Sequence, residues 1–168
     1  MTLNPLSETP HIPAPAAPER RRTTSTPTRI LAQHAVDALL DKRGLEIRVM
    51  DLRGVSGVAD TFVLATGESE LQVRAMVDAV RYGIADAVGE KPWHVEGNDH
   101  MQWVVLDYVD LVVHVFMPEK RAFYALERLW GDAPAETVPD TASGADVRLL
   151  QEEAAPEARS EASPDAAA

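Results

Sequence analysis

Residues 103–131 read Trp-Val-Val-Leu-Asp-Tyr-Val-Asp-Leu-Val-Val-His-Val-Phe and then Met-Pro-Glu-Lys-Arg-Ala-Phe-Tyr-Ala-Leu-Glu-Arg-Leu-Trp-Gly. Two runs of β-branched and aromatic residues meet at a very short turn. Pro118 then opens a segment with helical spacing, in which Phe123, Leu126, Leu129 and Trp130 share a face. Such a block can hardly fold as anything but paired strands feeding a helix. Seven of the nine aromatic residues lie between Trp93 and Trp130, six of them inside this stretch. Aromatic area dominates cores and recognition surfaces alike, so binding is expected to involve this block. Along the first strand, Trp103, Val105 and Asp107 take one face, and Val104, Leu106 and Tyr108 the other. One face belongs to the core. The other is either covered by a helix or offered to a partner.

Upstream, Thr26-Pro27-Thr28 suits a capped helix start, and Leu31, Ala35, Val36, Leu39 and Leu40 place an apolar stripe behind it. Gly44 sits where a left-handed residue would close that helix. Residues 45–52 alternate as a strand, and residues 61–66 read as a strand buried on both faces. Ser69 and Gln72 form a capping box ahead of a helix carrying Val73, Met76, Val77, Val80, Ile84 and Val88, which Gly89 ends. A short edge strand follows over residues 91–96, since Pro92 cannot donate to a ladder. The order is helix, strand, strand, helix, three strands, helix: an α/β domain on a mixed sheet of about five strands. The Pro-, Ala- and Thr-rich residues 1–27 read as a disordered leader. Residues 133–168 read as a disordered acidic tail, within which residues 147–150 read as a transient helix, either without a partner or as a docking motif. The folded domain is expected over residues 28–132.

The net charge is −11, divided as +1 over residues 1–27, −5 over residues 28–131 and −7 thereafter. Nucleic-acid affinity comes mainly from cations that neutralise phosphate, so this balance disfavours direct DNA or RNA binding and favours a basic protein surface. Without cysteine there is no disulfide, thiolate catalysis or Cys-ligated zinc, which fits a reducing, cytoplasmic setting. No apolar run reaches the roughly 18 residues of a membrane span. Arg20-Arg21-Arg22 hints at an organelle transit peptide, but Glu8, Glu19 and the prolines weigh against one.

Candidate chemistry is sparse. The Gly54-Val55-Ser56-Gly57 loop precedes a strand, not a helix N-terminus, and lacks a P-loop lysine. A metal-dependent nucleotidyltransferase would need two carboxylates on the next strand. Asp60 is present, but Phe62 stands where the second would be. His94, His100 and His114 match no established metal spacing, and His114 reads as a hydrogen-bonded core histidine beside Val112 and Phe116. No metal or other cofactor is expected, and nothing in the pattern requires catalysis. A dimeric module with some other basic client is a further reading.

The segments Ala59-Asp60-Thr61-Phe62-Val63-Leu64-Ala65-Thr66-Gly67, Gln72-Val73-Arg74-Ala75, Glu96-Gly97, Trp103 through Tyr108, Asp110 through Phe116 and Phe123 through Asp132 together resemble the ribosomal silencing factor, or Iojap, family, across residues 28–132. The resemblance implies a nucleotidyltransferase-like shape without the active site. It also implies binding to a protein of the large ribosomal subunit that blocks joining of the small subunit and represses translation, with large-subunit maturation as an organelle role. On this pattern Trp103, Leu106, Asp107, Tyr108 and Asp110 are the contact candidates. Two departures stand out: Thr61 where the family usually has an aromatic residue, and Val109 where it has glycine. Since a β-branched residue disfavours positive φ, a different turn type is expected there.

Overall fold

In a computed structural model, the described residues are 26–55 and 57–152. Helix α1 (Thr28–Asp41) leads into β1 (Leu45–Asp51) and β2 (Thr61–Thr66), followed by α2 (Glu70–Val88). Then come β3 (His94–Glu96), β4 (Trp103–Asp107), β5 (Leu111–Phe116), short helices α3 (Pro118–Tyr124) and α4 (Leu126–Leu129), and β6 (Ala135–Thr137). Two 3-10 turns, Gly144–Asp146 and Arg148–Leu150, end the described chain.

The six strands form one mixed sheet in the order β3-β4-β5-β2-β1-β6. Only the central β2–β5 pair is parallel. Every residue of β2 and β5 is buried, which is why both read as continuous apolar runs rather than alternating ones. Helices α1 and α2 cover one face through Leu31, Val36, Leu39, Val73, Val77, Val80 and Ile84, which pack on Val63, Val104, Leu106, Val113 and Val115. On the other face a smaller cluster of Met50, Leu52, Phe62, Leu64, Val112 and Phe116 lies beneath Leu126 and Trp130.

The caps differ in detail from the sequence reading. Ser69 Oγ accepts from the Gln72 N–H at 3.0 Å, as a capping residue should, and Gly89 ends α2 at φ 72°. Gln72 does not close the box. Its amide donates to the Lys42 and Arg43 carbonyls at 3.1 and 3.0 Å, tying the start of α2 to the end of α1. Pro27, not Thr26, is the cap of α1, without a side-chain hydrogen bond. The left-handed residue after α1 is Arg43 at φ 57°, one position before Gly44.

Two larger expectations are corrected. The expected mixed α/β sheet is present, but the segment read as a disordered acidic tail adds a sixth strand to it, β6, antiparallel to β1. The folded unit therefore continues past residue 132. Val138, Val147 and Leu150 are buried with the α1 side of the core. Distant side chains hold the two ends of residues 144–150: Asp37 accepts from Gly144 N–H at 2.6 Å, and Gln33 donates to the Leu150 carbonyl at 2.9 Å. Glu136 accepts from the N–H groups of Arg148 and Leu149, both at 3.1 Å. At Gly144 a Cβ would fall on the Gln33 backbone, so only glycine allows this approach. Residues 153–168, like residues 1–25 of the expected leader, lie outside the described residues. Second, the last helix is not continuous. Ala125 at φ 44° separates α3 from α4 and turns Phe123 and Leu129 outward, while Leu126 and Trp130 stay against the sheet.

Candidate protein-docking face

Helices α3 and α4 cover the second sheet face only in part. The β3–β4 end is left open, and the burial of β4 alternates accordingly: Val104 and Leu106 are buried, whereas Trp103, Val105 and Asp107 are half-buried. Register places Glu96 beside Val105 and His94 beside Asp107, so these four residues share the open face. His94 Nε2 lies 2.9 Å from Glu96 Oε1. Val105 thus forms an apolar floor with acidic neighbours. Between Lys91 and Lys120 the chain has no lysine or arginine but five acidic residues: Glu96, Asp99, Asp107, Asp110 and Glu119.

The wall of this face is aromatic. The Trp103 ring stacks on Phe116 at 5.1 Å and meets Tyr124 at 4.4 Å, and Phe123, 75 % exposed, stands edge-on to Tyr124 at 5.1 Å. The Trp103 indole N–H donates to His114 Nδ1 at 3.2 Å. His114 is 5 % exposed, and burial alone pulls its pKa down to about 3, so the imidazole is neutral. The core-histidine reading of His114 thus holds, with the indole as its partner.

Of the five contact residues expected from the resemblance, Trp103 and Asp107 are on this face, while Asp110 follows in the β4–β5 turn, where its carbonyl accepts from the Asp60 and Thr61 N–H groups. Leu106 and Tyr108 are not on the face: at 0 % and 1 % exposure they lie in the core beneath α1 and α2. The physical reason is the strand period of two, which puts them on the opposite face from Trp103 and Asp107. The Tyr108 hydroxyl has no hydrogen-bond partner among the described residues, and burial pushes its pKa up. Val105, His94 and Glu96 were missed, although the alternation of residues 103–107 already places Val105 beside Trp103. Finding His94 and Glu96 required the β3–β4 register.

The turn beyond β4 keeps the glycine-type backbone with valine in it. Val109 sits at φ 76°, against the expectation of another turn type. Asp107 Oδ1 accepts from the Val109 N–H at 2.7 Å, the Asp110 N–H donates to the Tyr108 carbonyl at 3.1 Å, and the Tyr108 N–H donates to the Leu111 carbonyl at 2.8 Å. These bonds impose a tight, strained reversal.

At the start of β2, Asp60 lines a cleft of about 260 Å³ with Asp51, Arg53, Thr28 and Leu150. Its carboxyl is held above the usual range by burial and by the nearby Asp110 and Asp51, with Arg53 opposing. Asp51, in contrast, is held low by its paired hydrogen bonds with the Arg53 guanidinium at 3.0 and 2.9 Å. No group of three or more His, Cys, Asp or Glu residues is placed to hold a metal ion among the described residues.

Comparison with known proteins agrees with this architecture. A family model described as "Ribosomal silencing factor during starvation" matches residues 24–168. A protein of Zymomonas mobilis named ribosomal silencing factor is 40 % identical over 120 residues, 71 % of this chain and 89 % of that protein. The Bacillus subtilis protein of the same name is 43 % identical over 100 residues, 60 % of this chain and 84 % of the other. A crystal structure of a Chromobacterium violaceum protein superposes with a TM-score of 0.60 at 31 % identity, covering 63 % of this chain and 88 % of that one.

Proposed function

Because the chain belongs to the ribosomal silencing factor family, we propose that it represses translation by docking its β3–β4 face on a basic protein of the large ribosomal subunit, on ground the small subunit needs. The mechanism is steric and involves no chemical step. The observation that carries this reading is the half-open sheet face, with Val105 as floor, Trp103 and Tyr124 as wall, and Glu96 and Asp107 as acidic surroundings. A basic surface complements such a face in charge, and an ordinary interface would bury about 800 Å² on each partner. Two relatives bear the name ribosomal silencing factor, which speaks for regulation rather than catalysis. The proposed contact residues are Trp103, Val105, Asp107, Asp110, Glu96 and Tyr124, with Leu106 and Tyr108 supporting β4 from below. No helix among the described residues is long and apolar enough to cross a membrane.

The test is co-sedimentation with separated ribosomal subunits, followed by a subunit-joining assay. Wild-type chain should travel with large subunits and slow joining. Val105→Arg, which puts a cation on the floor of a partly exposed site, should abolish both effects while leaving the fold intact. Asp60→Ala should leave both unchanged, since the cleft plays no part. Equal joining rates with and without excess protein would refute the proposal.

A further inference from the structure

Strand β5 is buried along its whole length, and His114 is its one polar side chain. We propose that His114 is a positioning residue: its Nδ1 accepts the Trp103 indole N–H and thereby fixes the aromatic wall of the docking face. The inference rests on the docking role proposed above and names what orders that site.

The argument starts from what the imidazole costs. With Nδ1 accepting from Trp103, the proton of the neutral ring is on Nε2. That atom is buried without a hydrogen-bond partner among the described residues, and the imidazole and Phe62 rings meet in a T-shaped arrangement with centroids 4.7 Å apart. A buried unsatisfied N–H is destabilising, so an aliphatic side chain of similar size would serve the core better. An aliphatic side chain cannot supply an acceptor under the indole. The ring contacts with Phe62 and Phe116 are open to another aromatic side chain, whereas the acceptor is not. The site agrees with this assignment: Trp103 is half-buried at the rim of the covered part of the face, held by Phe116 on one side and Tyr124 on another. The hydrogen bond from its ring N–H removes the remaining freedom of the indole before a partner arrives. Ordering a side chain in advance lowers the entropic cost of association. Burial keeps the imidazole neutral, so the acceptor persists throughout the neutral pH range.

The experiment compares the full chain with His114→Leu and His114→Asn by three measurements: thermal midpoint, the 1H–15N resonance of the Trp103 indole in the free protein, and affinity for purified large subunits. His114→Leu should stay folded with a thermal midpoint near the parent's, because removing the unpaired Nε2–H offsets leaving the Trp103 indole N–H without its acceptor. Its indole N–H should lose the downfield shift and exchange protection of a hydrogen-bonded donor, and its affinity should fall about tenfold. In His114→Asn the side-chain carbonyl reaches the position of Nδ1, and both the indole signature and the affinity should return. The inference is overturned if His114→Leu binds as tightly as the parent, or if its Trp103 indole keeps the signature of a hydrogen-bonded donor, because the imidazole would then not be what holds the ring. If the parent itself fails to bind large subunits, the docking role falls instead, and the indole resonance still reports whether His114 holds Trp103.

Discussion

Val109 carries a local conflict that its neighbours impose. The β4–β5 register runs from Trp103↔Phe116 to Asp107↔Val112, so only residues 108–111 are left to reverse the chain. The Asp107 carboxylate then fixes the Val109 N–H, and φ 76° follows. Such strain in a β-branched residue costs about 1–3 kcal/mol, against about 0.5–1 kcal/mol for the added chain entropy of glycine. Val109→Gly should therefore stabilise the protein by about 1 kcal/mol and raise the thermal midpoint by a few degrees. The sequence showed a valine at a turn but not that the register would hold it at positive φ, because that depends on a pairing between two strands. Asp60 offers a second test. Its folded pKa lies above its unfolded one, so ionisation is harder in the folded chain, and at neutral pH the carboxylate subtracts from stability. Asp60→Asn should stabilise the protein at pH 7 in thermal unfolding. That advantage should shrink as the pH falls through the carboxylate range, where the wild-type group becomes protonated.

Elements with regular periods were legible, and the irregular one was not. The stripes of α1 and α2 and the unbroken apolar runs of β2 and β5 announce themselves because one period dictates burial over many residues. Residues 133–152 have no period. Three anchors, Val138, Val147 and Leu150, reach the core from irregular backbone, and that backbone is held by Gln33 and Asp37, far away in α1, and by Glu136 within the segment itself. An acidic, alanine-rich composition concealed this arrangement. Removing residues 133–168 should therefore unfold or severely destabilise the chain, and Leu150→Ala alone should cost about 3 kcal/mol in denaturant unfolding. The break at Ala125 was equally hidden. Arg121, buried among the α3, α4 and β1–β2 backbones, donates to the Glu46 carbonyl at 2.6 Å, to Thr66 Oγ1 at 3.0 Å and to Glu127 at 2.6 Å. These bonds hold α4 at an angle that no local propensity encodes. Burial raises the Glu127 carboxyl, but the bonds and charge of Arg121 outweigh it and hold the group low, so this tie persists until the pH falls below the usual carboxylate range.

At the scale of the whole molecule, charge and shape are the proposed means of action. The acidic balance was readable from composition, and the alternation of β4 foretold that its two faces differ. Which of those faces stays open depends on how far α3 and α4 reach across the sheet, and that only the assembled fold decides. Asp107→Asn keeps an acceptor for the Val109 N–H but removes one negative charge from the face. Its association with large subunits should weaken about three- to fivefold, roughly 1 kcal/mol, at low salt. The deficit should disappear as added salt screens the wild-type charge.

Helices α1 and α2 lie on the side of the sheet away from the open face. A sheet with one helical layer is about 20 Å thick. Seated through β3 and β4, the molecule would project that layer outward from whatever surface it grips. Two large particles that meet through side-chain contact tolerate gaps of only about 4 Å. An obstacle of this height would therefore leave a bound particle unable to close at all, and the fraction blocked would simply equal the fraction occupied.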